Sequence, residues 1–133
     1  MICVDTTFLV DLWRNKASGV HPALELLDRH QGESFAVPAH AAGEFLEGGA
    51  HVSQDRFDES LKFLQLFKVG GVGLETARHY AQIVSSLRRR SLLVGASKVD
   101  MWIAAWAVEH GATLVSRNTR HFEQVPNLVL VSY

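Results

Sequence analysis

The chain has one cysteine, three prolines and no excess of charge of either sign among its 133 residues. A lone cysteine cannot close an internal disulfide, so the fold must rest on an apolar core. Cys3 lies in the run "ICV" and reads as a small buried hydrophobe rather than a reactive thiol. The 13 Lys and Arg against 14 Asp and Glu give a formal net charge of -1, which lacks the overall basic footprint usual in nucleic-acid-binding domains. Apolar runs fall far short of the roughly 20 residues that span a bilayer. The opening "MICVDTTFLV" has no basic stretch ahead of an apolar run, as a secretory signal would. The expectation is a soluble, cytoplasmic chain in a reducing compartment, with no membrane partner. No two of the seven histidines are four residues apart, so a helical His-x-x-x-His metal motif is absent.

What is present is an ordinary globular composition, 47% hydrophobic and 20% charged, sized for a single domain over 1–133. "ICV" at 2–4 reads as a strand, followed by a helix in "TTFLVDLWR". Pro22 in "HPALELLDRH" suits the first position of a second helix. "SFAVP" at 34–38 predicts another strand, then a helix in "AHAAGEFLEGG" stopped by Gly48 and Gly49. Ser53 opens a helix with Phe57, Leu61, Leu64 and Phe67 at three- and four-residue spacing. A further helix runs roughly from Glu75 to Arg90, with Ala77, Tyr80, Ala81, Val84 and Leu87 on one side, and its "RRR" end reads as solvated. After a "LLVGAS" turn, the helix of "SKVDMWIAAWAVEH" ends at Gly111, and "TLVS" (113–116) and "LVLVS" (128–132) complete the strands. Strands alternating with helices predict an α/β, three-layer α/β/α fold with a central, mainly parallel sheet of four to five strands.

Asp100 opens an otherwise apolar helix three residues after Ser97, which local physics explains as a cap gaining about 0.3–1 kcal/mol from the helix dipole. Its companions suggest more. Asp5 follows the first strand, Glu44 lies on the helix after the second, and Asn118 stands two residues beyond "TLVS". In doubly wound sheets ligands gather beyond the carboxyl ends of the strands, near the point where strand order reverses. Carboxylates crowded there repel one another unless a cation neutralises them, and an oxygen-only set suits Mg²⁺ or Mn²⁺. Such a site can activate water against a phosphodiester. Arg117 beside it is the leading phosphate contact, with Lys98 and Arg120 further out. Trp13, Trp102 and Trp106 read as packing residues before base-stacking ones. Asp11 and Glu47 read as solvated or salt-bridged acids before members of the rim.

The segments "VDTTFLVDL", "AGEFLEG" and "VDMWIAAWAVEHGATLVSRNTRHFEQVPNLVLV", in that order over nearly the whole chain, resemble the PIN-domain family, in particular VapC-type ribonuclease toxins of toxin–antitoxin pairs. The resemblance implies that Asp5, Glu44 and Asp100 bind divalent metal (Mg²⁺ or Mn²⁺) and that the domain hydrolyses RNA. The expected products carry 5′-phosphate and 3′-hydroxyl ends, and the expected substrate is a structured transfer or ribosomal RNA. It also implies a homodimer and a cognate antitoxin protein. Many relatives place an aspartate where this chain has Asn118, and some carry an acid at the position of His121. A neutral Asn118 carries less charge for a second cation, so a single metal is expected. Thr6 or Thr7 is expected to hydrogen-bond Asp5 or a metal-bound water. An inactive PIN-like module binding RNA or protein is the alternative. A phosphoryl-accepting receiver domain is disfavoured because "SFAVPAH" and "TLVSRN" supply neither its phosphoacceptor Asp nor its Lys.

Overall fold

Short apolar strands need cover on both faces, and the helices supply it. The computed structural model describes residues 1–93 and 95–133, so the expected "LLVGAS" turn includes one position, Val94, outside the described residues. β1 (Ile2–Val4) leads into α1 (Thr6–Asn15) and α2 (Pro22–Arg29). β2 (Phe35–Pro38) leads into α3 (Ala39–Val52) and α4 (Gln54–Leu64). β3 (Lys68–Gly70), α5 (Leu74–Arg89) and α6 (Lys98–Glu109) follow, then β4 (Thr113–Val115), a 3₁₀ turn (Thr119–His121) and β5 (Val129–Val131). All pairings are parallel, in the order β3-β2-β1-β4-β5, within a three-layer α/β/α arrangement. The chain builds outward from β1 to β3 and then returns to lay β4 on the opposite side of β1. The reversal of strand order therefore falls between β1 and β4, with Val4 opposite Val115.

The central strands are buried and the edges are not. Ile2, Cys3, Val4, Leu114 and Val115 are within 3% of full burial, whereas Val69 in β3 and Val129 in β5 are exposed. α6 is apolar nearly all round and correspondingly buried, with Met101, Ile103, Ala104, Ala105, Trp106 and Ala107 inside. Its C-terminus is closed as expected by Gly111, at φ +59°.

Three expectations are corrected. β3 was not anticipated: "KVG" is three residues long, lies at the sheet edge and has no apolar alternation. Gly48 and Gly49 do not stop α3, which runs to Val52. A Cβ on Gly49 would lie 2.5 Å from Ser60 Oγ and 3.1 Å from the Arg56 carbonyl oxygen, so the glycine lets α3 and α4 approach closely. On α5 the buried residues are Thr76, Ile83 and Leu87, while Ala81 faces solvent. Trp106 donates from Nε1 to the Gly71 carbonyl at 3.0 Å, and its ring packs where a Cβ on Gly70 would stand.

Candidate active site

The reversal point carries a buried, hydrogen-bonded polar cluster. Asp5 leaves β1 and caps α1, its Oδ1 accepting the Phe8 amide at 2.8 Å. Its Oδ2 accepts the hydroxyl of Ser116, the first residue after β4, at 2.6 Å. One carboxylate thus bridges the ends of the two strands that flank the reversal. Ser116 Oγ also accepts the Asn118 amide at 3.0 Å, which fixes the turn leaving β4. Asp5 is only 3% exposed. Its carboxyl is pushed above the usual range, foremost by burial, against the pull of the Ser116 and Phe8 hydrogen bonds, with the charges of Asp100 and Asp11 adding to the rise. A buried carboxylate that feels two further acids is a standing electrostatic cost, of the kind a cation relieves.

Asp100 is both cap and site candidate. Ser97 Oγ accepts the Asp100 amide at 3.1 Å while Asp100 Oδ2 accepts the Ser97 amide at 3.2 Å, a reciprocal capping box. The same Oδ2 lies 3.0 Å from His121 Nδ1, so His121 orients the Asp100 carboxylate. Asp100 faces Asp5 closely enough to perturb it, and both carboxylates sit at helix N-termini, where the backbone favours negative charge.

The other candidates divide. Asn118 precedes the 3₁₀ turn but makes no side-chain cap. Its Nδ2 donates to Thr7 Oγ1 at 3.2 Å, tying the turn after β4 to the start of α1. Neither expected threonine bonds Asp5: Thr7 is taken by Asn118, and Thr6 Oγ1 is buried without a partner among the described residues. Glu44 is exposed on α3, beside Glu47, along an open groove. Among the described residues no three His, Cys, Asp or Glu side chains form a group ready to hold a metal ion, so Glu44 does not join Asp5 and Asp100 in a preassembled cage. Arg117, Lys98 and Arg120 are all exposed.

Sequence reasoning passed over Ser116. Asp11 is salt-bridged rather than solvated: it is 5% exposed, accepting the Tyr133 hydroxyl at 2.8 Å, with Arg117 Nη1 3.5 Å from its other oxygen. This contact holds Arg117 at the site. The position of Ser116, directly after a strand bordering the reversal, was the available signal.

The donor set consists of hard oxygens and fits Mg²⁺ or Mn²⁺ at Asp5 and Asp100. Mg²⁺ commonly takes only one or two carboxylates and keeps several waters, so a distant Glu44 is compatible with contact through water. The orphaned Thr6 hydroxyl beside Asp5 is consistent with a missing polar partner.

The PIN domain profile matches residues 2–128. Ribonuclease VapC1 of Rickettsia felis is 26% identical over 136 aligned positions, covering 98% of this chain and 95% of that protein. The DNA-bound VapBC structure from Salmonella typhimurium superposes with a TM-score of 0.85 at 20% identity, over 99% of this chain and 98% of that one. VapBC2 of R. felis, bound to a promoter DNA fragment, gives 0.83 at 24% identity over 100% and 99%. A five-stranded parallel sheet in this order, acids at its reversal point and a profile spanning nearly every residue agree: the chain belongs to the PIN-domain family.

Proposed function

We propose that the protein is a metal-dependent endoribonuclease of the VapC kind, hydrolysing RNA to 5′-phosphate and 3′-hydroxyl ends. The observation that carries this reading is the placement of Asp5 at the reversal of strand order, buried and tied by Ser116 across the ends of β1 and β4, with Asp100 at the start of α6 facing it. Family membership over 2–128 and a curated relative named a ribonuclease support it. Asp5, Asp100 and Glu44 would hold a single Mg²⁺ or Mn²⁺. When bound, the ion supplies an activated water and stabilises charge on the scissile phosphate.

The protein's own groups prepare that chemistry. Ser116 and the Phe8 amide keep Asp5 in one orientation, and Ser97 and His121 do the same for Asp100. Asn118 fastens the β4 turn over α1, its carbonyl oxygen remaining available as a neutral ligand. Arg117, anchored by Asp11, contacts the RNA backbone, and Lys98 and Arg120 extend that contact outward. Because the rim is acidic, RNA binding depends on both the divalent cation and these basic residues and weakens as monovalent salt rises. The solved VapBC neighbours support a cognate antitoxin as partner. A homodimer, a structured transfer or ribosomal RNA as substrate and a cytoplasmic location complete the reading. No helix among the described residues is long and apolar enough to cross a membrane.

The test is sequencing of cellular RNA ends after expression of the wild type and of Asp5→Ala. New 5′-phosphate ends at defined RNA positions, present only with the wild type, support the reading. Identical end profiles refute it.

A further inference from the structure

α3 begins immediately beyond β2, at the same edge of the sheet as Asp5, and its first turns wall an open groove of about 490 Å³. The groove is lined by His40, Gly43, Glu44, Glu47, Val72 and Val99. Its volume lies within the range of small-ligand sites. Among the candidate acids it shares Glu44, on α3, while Val99 lines it from the first turn of α6, the helix that carries Asp100.

Its wall is unusually organised. The His40 imidazole stacks on the Trp102 indole, centroids 4.8 Å apart and planes within 6°. Trp102 in turn stacks on Tyr80 at 4.2 Å and 10°. His40 is the member of this stack that reaches the groove; Trp102 and Tyr80 do not line it. Its Nδ1 is buried and has no partner among the described residues, so no hydrogen bond explains the ring's placement, and the stack does. A rigid π-surface, two valines and a bare glycine suit a flat apolar ring. Glu44 and Glu47 exclude phosphate from the groove but accept N–H groups. The combination fits an unpaired nucleobase with an exocyclic amine: stacking on aromatic rings is how single-stranded RNA is commonly held, and carboxylates accept from such amines.

Resting on the ribonuclease reading, we propose that this groove is a base subsite of the RNA-binding surface. An unpaired amino-bearing base next to the scissile phosphate extends the His40–Trp102–Tyr80 stack, and its amine donates to Glu47. His40 and Glu47 are then specificity residues, distinct from the groups that hold metal.

The probe is a short fluorescein-labelled single-stranded RNA of uridines with one central adenosine, compared with the same strand carrying an abasic site there. Binding is read by anisotropy with Ca²⁺ in place of Mn²⁺, and folding of each variant by circular dichroism. Wild type binds the adenosine strand more tightly than the abasic one, by roughly 5- to 100-fold from one base stack. His40→Ala removes that preference without changing affinity for the abasic strand, and His40→Phe restores it. Glu47→Gln lowers the preference for adenosine over uridine at the central position. Equal affinity of the wild type for both strands, binding to neither, or equal losses on both strands in His40→Ala overturns the subsite. Cleavage of RNA in Mn²⁺ is measured in parallel. Cuts in cellular RNA by the wild type without base discrimination on the probes refute only the subsite, whereas base discrimination with identical RNA-end profiles for wild type and Asp5→Ala refutes only the nuclease.

Discussion

Ser116→Ala isolates the tie between β1 and β4. The hydroxyl is fully buried, donates to Asp5 Oδ2 at 2.6 Å and accepts the Asn118 amide at 3.0 Å. Where Asp5 is ionised, the lost bond is one to a charged group, worth about 1.5–3 kcal/mol, and the stranded Asn118 amide adds to the loss. A deficit of about 2–3 kcal/mol lowers the melting temperature of a domain this size by ~6–12 °C. The pH dependence is the sharper part. Burial and neighbouring acids raise the Asp5 carboxyl above its unfolded value, and the Ser116 hydrogen bond opposes them. The folded chain therefore holds this proton more tightly than the unfolded one, so ionised Asp5 costs stability as pH rises through its folded pKa. Losing the serine raises that pKa further. The variant's deficit is thus smallest in acid, where Asp5 is protonated with or without the serine, and grows toward neutral pH. Urea unfolding of wild type and variant across that range measures it. A deficit independent of pH, or none, refutes the assignment of Ser116 as the group that stabilises the ionised carboxylate.

Other perturbations probe the supports around the site. Gly70→Ala places a methyl against the Trp106 ring and is expected to cost about 1–3 kcal/mol by overpacking, with loss of the Trp106 to Gly71 hydrogen bond, measured by urea unfolding. Tyr133→Phe leaves the buried Asp11 without its hydroxyl donor and is expected to destabilise by about 1.5–3 kcal/mol, again read from urea midpoints. The Tyr133 hydroxyl is itself pushed well above the usual phenol range, by burial first and then by Asp11, so spectroscopic titration of wild type against Tyr133→Phe is expected to show its ionisation displaced above that range or seen only on unfolding.

Much of the architecture is legible because the core strands are short, apolar and bounded by turns, and because Ser97, Pro22 and Gly111 carry their capping chemistry in the sequence. β3 is invisible because an exposed three-residue edge strand has no burial to pattern it; its place is set by pairing with β2. Gly48 and Gly49 mislead because glycine in a helix interior is disfavoured locally but permits helix-on-helix contact that no local window contains. The addresses of Asp5 and Asn118 follow from strand ends, and that of Asp100 from the helix start at Ser97. Asp11 and Ser116 matter through partners 122 and 111 residues away, a separation at which periodicity carries no information. Glu44 is legible as an acid on α3, but its distance from the Asp5–Asp100 pair depends on how α3 leaves the sheet.

The proposed chemistry requires Asp5 and Asp100 to form a divalent-cation site together. Calorimetric titration with Mn²⁺ tests it without reference to any RNA. The wild type is expected to bind at a single site per chain, abolished by Asp5→Ala and by Asp100→Asn, and weakened but retained in Glu44→Gln. Unchanged Mn²⁺ binding by Asp100→Asn, in a variant shown to be folded, would contradict it.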